Sequence, residues 1–174
     1  MPSSHSHIPV EIQKIWLSPG HDFKGRYGQE RLHNGIISVP EIECHAGKGL
    51  VGDRYYNHKP DFKGQITFFD AAVLEQLARE LKLPDIEGAL LRRNVLLQGI
   101  DLNALVGKQF RLGEVEFSGS EECAPCFWMD EAVAPGAFEW LKNRGGLRCR
   151  ILQSGRLSLG SQSLEILSAN RLTS

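Results

Sequence analysis

Residues 92–126, RRNVLLQGIDLNALVGKQFRLGEVEFSGSEECAPC, decide the architecture. NVLLQGI is an apolar run of strand length, the pattern of a buried strand. DLNALVGK follows as a tight turn region. Next come QFRL and VEFSG, split by Gly113 and Glu114, which reads as a β-hairpin. The thiols Cys123 and Cys126 come directly after it.

Upstream, VEIQKIWL alternates Val10 and Ile12, slips by one residue, and resumes at Ile15 and Leu17, which predicts a strand with a bulge. Ser18, Pro19 and Gly20 end it. The polar, glycine-bearing stretch from His21 to Gly35 is expected to be a long loop over a functional face or a solvated connector. IISVPEIEC is a second β region, bent or edge-placed at Pro40. GQITFF predicts another strand, handing over at Asp70, a good N-cap, to the one clear helix. In that helix Val73, Leu74, Leu77, Ala78 and Leu81 share a face, and Pro84 forbids continuation.

Downstream, PGAFEWLKN predicts a short helix near Pro135. LRCRIL turns Leu147, Cys149 and Ile151 inward against Arg148 and Arg150 outward. RLSLG and SLEIL follow a turn at Ser154-Gly155. Strands outnumber helices and do not alternate with them. The expected fold class is mostly β: a largely antiparallel sheet closed into a barrel, with two or three peripheral helices. With no repeat and no linker, residues 1–174 read as one domain.

Lys and Arg total 20 against 21 Asp and Glu, a net charge of −1, so no overall basic field exists to hold a nucleic-acid polymer. The N-terminus lacks a signal-peptide pattern, and no apolar run approaches the roughly 18 residues of a membrane span. The expected setting is the cytoplasm, where Cys44, Cys123, Cys126 and Cys149 stay reduced.

Several chemistries are open to the Cys-Ala-Pro-Cys run. Structural zinc wants four ligands, and the chain has no second C-x-x-C and no H-x-x-x-H. A thioredoxin-like dithiol wants a helix N-terminus after a βαβ strand, whereas this pair follows a hairpin, and Glu121 and Glu122 oppose a thiolate. Both cysteines also suit burial as small hydrophobes. Cys44 and Cys149, each alone on an alternating strand, fit burial better.

GKGLVGDRYY, GQITFFDAAVLEQL, the 92–126 stretch and GGLRCRILQSGRLSLG, in this order, resemble the MOSC domain, named after the C-terminal domain of molybdenum cofactor sulfurase. The resemblance spans roughly residues 35–167 and is strongest to small stand-alone bacterial members. It implies a β-barrel related to that of pyruvate kinase. It also implies a link to the molybdenum cofactor, a metal held by the dithiolene sulfurs of a phosphorylated pterin. The second cysteine of the family pattern, which ligates molybdenum in amidoxime-reducing relatives, falls on Cys126, leaving Cys123 as a neighbour. A soft thiolate suits such a metal. Arg92, Arg93 and Asn94 match the family's R-x-N run and are candidates for the cofactor's anionic end. Asp53 and Arg54 in GLVGDR are either a structural ion pair or a wall of the site, and Lys48 is one further possible cation.

The chain departs from the pattern at Gly160-Ser161, where Gly-Asp is common, and it contains neither the extra barrel of the amidoxime reducers nor an aminotransferase-like domain. Pyridoxal phosphate is therefore not expected. The resemblance implies a molybdenum-dependent reductase of N-hydroxylated small molecules, supplied with electrons by a partner flavoprotein. The alternatives are a sulfur or cofactor carrier that uses a Cys126 persulfide and docks a cofactor-handling protein, and a dithiol redox protein.

Overall fold

The structure is a computed structural model and describes residues 6–20 and 35–169. All of the expected loop from His21 except Gly35 lies outside the described residues. Eleven strands are formed: β1 (His7–Leu17), β2 (Ile37–Ser38), β3 (Glu41–His45), β4 (Gly49–Leu50), β5 (Ile66–Asp70), β6 (Val95–Gln98), β7 (Lys108–Leu112), β8 (Val115–Glu122), β9 (Leu147–Gln153), β10 (Gly155–Ser158) and β11 (Gly160–Ala169). Among the described residues three helices accompany them: α1 (Ala71–Glu80), α2 (Met129–Ala132) and α3 (Ala137–Trp140).

Seven strands close on themselves in the order β1-β11-β7-β8-β9-β5-β6, returning to β1, so the fold is a mostly β closed barrel. β2 extends the edge of β1, and β10-β3-β4 form a small second sheet. The bulge expected in β1 is present, because its register against β6 shifts between Ile12 and Lys14. The 109–118 hairpin pairs as expected, with Phe110 opposite Phe117 across Gly113-Glu114.

One connection departs from the expected pattern. β5 and β6 run parallel, with α1 in the crossover between them, so a single βαβ unit sits inside an otherwise antiparallel barrel. Asp70 caps α1 by accepting from the Ala72 N–H at 2.9 Å. That crossover explains why NVLLQGI is apolar on consecutive positions. Val95 and Leu97 face the barrel interior, while Leu96 joins an outer cluster with Trp16, Phe69, Leu77 and Leu91. Phe68 and Phe69 divide the same way on β5. The interior is centred on Phe68, Phe110 and Phe117, whose rings lie 5.3–6.2 Å apart. Cys44 and Cys149 are fully buried in this interior cluster, as expected.

Candidate active site

Arg92, Arg93 and Asn94 occupy the link between a 3-10 turn at Gly88–Leu91 and β6. Their side chains take three different courses. Arg93 reaches across the chain, donating from Nε to the Gly145 carbonyl (2.8 Å), from Nη1 to Leu91 (2.9 Å) and from Nη2 to Cys123 (3.1 Å). Its guanidinium is thereby buried against neutral acceptors rather than a carboxylate. Asn94 is a brace. Its amide oxygen accepts from the Thr67 N–H and hydroxyl, and its NH2 donates to the Trp16 carbonyl and to Asp53. That exhausts the two lone pairs and two N–H groups of the side chain. Arg92 adopts the left-handed backbone conformation, φ 56° and ψ 34°, and donates to the Gly20 carbonyl at 2.6 Å. An arginine there is conspicuous, since glycine or asparagine meets that conformation at less cost.

Cys123 leaves the end of β8 where β9 begins. Its N–H donates to the Gly146 carbonyl at 2.8 Å, and a Cβ on Gly145 would lie 2.1 Å from the Cys123 carbonyl oxygen. This close approach requires glycine at 145, while Gly146 has φ 105° and a Cβ there would lie 2.2 Å from the Phe68 carbonyl oxygen. Arg148, opposite Glu121 in the β8–β9 register, donates to that carboxylate at 3.2 Å and also lies against the Cys123 sulfur. Burial works against its charge, but Cys123 and Glu121 more than offset it, and the guanidinium titrates above its ordinary value. Glu121 is held below the usual carboxylate range chiefly by its hydrogen bond from Lys63, with Arg148 adding to the effect. The acidic run ahead of the thiols is therefore partly neutralised by cations from other strands and loops.

Asp53 is buried and accepts from the Ser18 N–H (2.9 Å), the Tyr55 N–H (3.2 Å) and Asn94. It pins the glycine turn in which Gly49 and Gly52 take positive φ. Arg54 lies 3.9 Å from Asp53, too far for a hydrogen bond, and its buried Nε–H has no hydrogen-bond partner among the described residues.

These elements enclose a pocket of about 330 Å³, within the range of small-molecule sites. Four arginines line it, Arg54, Arg92, Arg93 and Arg148, along with Tyr55, Leu91, Trp128, Met129 and both cysteines of the Cys-Ala-Pro-Cys run. Cys126 is exposed, whereas Cys123 is buried. The pocket thus gathers Cys126, Arg92, Arg93 and Arg54. Asp53 and Asn94 support it from behind without lining it, and Lys48 lines a different groove. Sequence reading missed Arg148 and Tyr55. The signal for Arg148 was its alternation out of the barrel, which at this strand end points into the pocket.

The MOSC domain family profile matches residues 43–162. The chain belongs to this MOSC domain family. The family is associated with molybdenum cofactor binding. No curated protein matches the sequence. Among solved structures, the YuaD protein of Bacillus subtilis is similar over 94% of this chain and 100% of its own, with 16% identity and a TM-score of 0.72. YiiM from Escherichia coli is similar over 97% of this chain and 72% of its own (19% identity, TM-score 0.61). YiiM from Geobacillus stearothermophilus matches over 92% and 76% (15% identity, TM-score 0.65). At these identities the likeness is one of fold.

The donor set suits a group that brings most of its own ligands. Among the described residues no three of His, Cys, Asp and Glu converge to hold a metal ion. What the MOSC pocket offers is one exposed thiol beside a concentration of guanidiniums. Among the described residues, no helix is long and apolar enough to cross a membrane.

Proposed function

We propose that the pocket binds the molybdenum cofactor, with Cys126 as its protein thiolate ligand, and that the loaded protein reduces N-hydroxylated small molecules with electrons from a partner flavoprotein. The observation that carries this reading is the exposed Cys126 at a pocket walled by four arginines. When bound, the cofactor would supply a metal able to remove oxygen from an N–O bond. The chain's own contribution is binding and orientation. Arg54 and Arg92 attract the anionic end, Arg148 adds charge next to Cys123, and Arg93 keeps the pocket floor in one shape by tying three backbone carbonyls together.

The exposure of Cys126 also favours a second reading, a carrier that holds sulfur or the whole cofactor on that thiol and hands it to a cofactor-handling protein. A dithiol redox protein has less support, because Cys123 is buried and only Cys126 of the pair is exposed.

The deciding experiment is elemental and pterin analysis of protein made in a cofactor-competent host and purified anaerobically. Wild type and Cys123→Ala are expected to carry molybdenum and pterin together, and Cys126→Ala to lose at least nine-tenths of both, on the order of a tenfold loss of affinity or more. Wild type without molybdenum and pterin would sink the reading, and stoichiometric zinc would replace it. Turnover of a hydroxylamine substrate with a reduced flavoprotein then separates reductase from carrier.

A further inference from the structure

The two thiols of the Cys-Ala-Pro-Cys run are held very differently. Cys123 is fixed: its N–H donates to Gly146 at 2.8 Å, its carbonyl accepts from Arg93 at 3.1 Å, and its buried sulfur lies against Arg148. Beyond it the chain is looser. Among the described residues neither the Ala124 nor the Cys126 N–H makes a backbone hydrogen bond, and Pro125 has no N–H to give. Cys126 is anchored through its carbonyl, which accepts from Met129 at 3.0 Å. One thiol is thus a fixed point and the other is exposed at the end of a short tether, yet both line the same pocket.

The acids that precede the pair are engaged elsewhere. Glu121 takes Lys63 at 2.9 Å and Arg148 at 3.2 Å, and Glu122 accepts from the Gly145 N–H at 3.3 Å. A guanidinium beside a buried sulfur favours the anion, which is the nucleophile in thiol chemistry. An accessible thiol backed by a buried neighbour is the arrangement of a peroxide-oxidised cysteine and its resolving partner. Movement confined to residues 124–126 is all that closure of so short a loop demands.

We infer that Cys126 is an oxidation site for hydroperoxides, and that Cys123, assisted by Arg148, resolves the product into a reversible intramolecular disulfide. The Cys126 sulfur attacks the outer oxygen of the hydroperoxide, the O–O bond breaks, and an alcohol or water leaves with Cys126 as the sulfenic acid. The Cys123 sulfur then attacks that sulfur, the S–O bond breaks, and the hydroxyl departs as water with the Cys123 proton. Two thiols have given two electrons to the peroxide, and exchange with an external thiol restores them. Closure withdraws the thiolate on which the proposed function relies. That consequence rests on the proposed function, whereas the oxidation does not.

The test treats the ligand-free full chain with a small excess of hydrogen peroxide and weighs the tryptic peptide 112–142, which holds both thiols but neither Cys44 nor Cys149. In wild type the peptide is expected to become lighter by two hydrogens. Iodoacetamide labelling of Cys126 should fall about tenfold and return with dithiothreitol. In Cys123→Ser the sulfenic acid has no partner, so dimedone is expected to trap it on Cys126. Arg148→Met should slow closure about tenfold, seen as more dimedone adduct, while Arg148→Lys, which keeps the charge, should stay within about threefold of wild type.

An unchanged peptide mass in wild type, equal dimedone trapping in wild type and Cys123→Ser, wild-type closure in Arg148→Met, or a cross-link from Cys126 to Cys149 or to another chain would each overturn the inference. The wild-type readings need no variant to fold. They also need no cofactor. Wild type lacking molybdenum and pterin removes the proposed function and leaves the disulfide, and an unoxidised peptide removes the disulfide and leaves the proposed function.

Discussion

A groove of about 600 Å³ runs past Glu43, Cys44, His45, Lys48, Glu114 and Arg156, while the pocket beside Cys126 measures about 330 Å³. The groove mixes charges that already satisfy one another. Arg156 meets Glu41 at 3.4 Å while its N–H donates to Glu114, His45 hydrogen-bonds Tyr56 at 2.7 Å, and the Cys44 thiol is buried beneath them. Among the described residues, the pocket concentrates four guanidiniums of one sign, leaves one buried donor unpaired and keeps one thiol exposed. Size therefore points to the groove and chemistry to the pocket. The difference teaches that a ligand site is marked by interactions left unfinished, because burying an unpaired donor or like charges is costly unless something binds there.

The sharpest way to break this comparison is through the thiols. Burial, followed by the charge of Glu43, pushes the Cys44 thiol from the ordinary 9.0 up to about 12. Burial does the same to Cys149, with a further push from Cys123. At pH 8 a thiol raised as far as that of Cys44 holds about a thousandfold less thiolate than an ordinary one. Iodoacetamide is expected to modify the exposed Cys126 first in the native protein, with the buried Cys44 and Cys149 far slower, as followed by peptide mass spectrometry after timed quenching. Similar rates at Cys44 and Cys126 would erase the distinction.

The next largest effect compares two arginines. Arg93→Leu orphans three carbonyl acceptors in a buried setting and should cost about 3 kcal/mol, whereas Arg156→Leu on the groove should cost less than about 0.5 kcal/mol, as expected for an exposed pair. Urea unfolding of both variants measures the gap, and equal losses would show that the pocket floor is no more constrained than the groove.

A smaller effect than that of Arg93→Leu belongs to Arg92→Gly. Relief of the left-handed backbone, worth about 1 kcal/mol, roughly offsets loss of the hydrogen bond to Gly20. Stability should stay within about 1 kcal/mol of wild type while phosphate affinity falls severalfold. A loss near 3 kcal/mol would make Arg92 a pillar like Arg93 rather than a strained residue retained for its side chain.

Much of the fold was legible because its signals are local. The period-2 alternation of LRCRIL, the slipped phase of VEIQKIWL, the Gly113-Glu114 turn and the Asp70 cap each depend on residues close in the chain, and each appears where the pattern places it. The parallel pairing of β5 with β6 was not legible, since a helix between two strands says nothing by itself about which neighbours they choose. The site was half legible. The Cys-Ala-Pro-Cys run and Arg92–Asn94 could be singled out from sequence, but Asn94 turned out to be a saturated brace, and Arg148 and Tyr55 went unnoticed.

The sequence by itself determined the strand-rich pattern, the single clear helix, the MOSC resemblance and which second cysteine to watch. Only the tertiary structure decided which arginines share a pocket with that cysteine, and which of them are already occupied. Arg93 meets Gly145 across 52 residues, Asn94 meets Asp53 across 41, and Arg148 meets Glu121 across 27. Closing the barrel brings these segments together. Whether a polar group has found its partner is a property of that closure, not of the residues on either side of it in the chain.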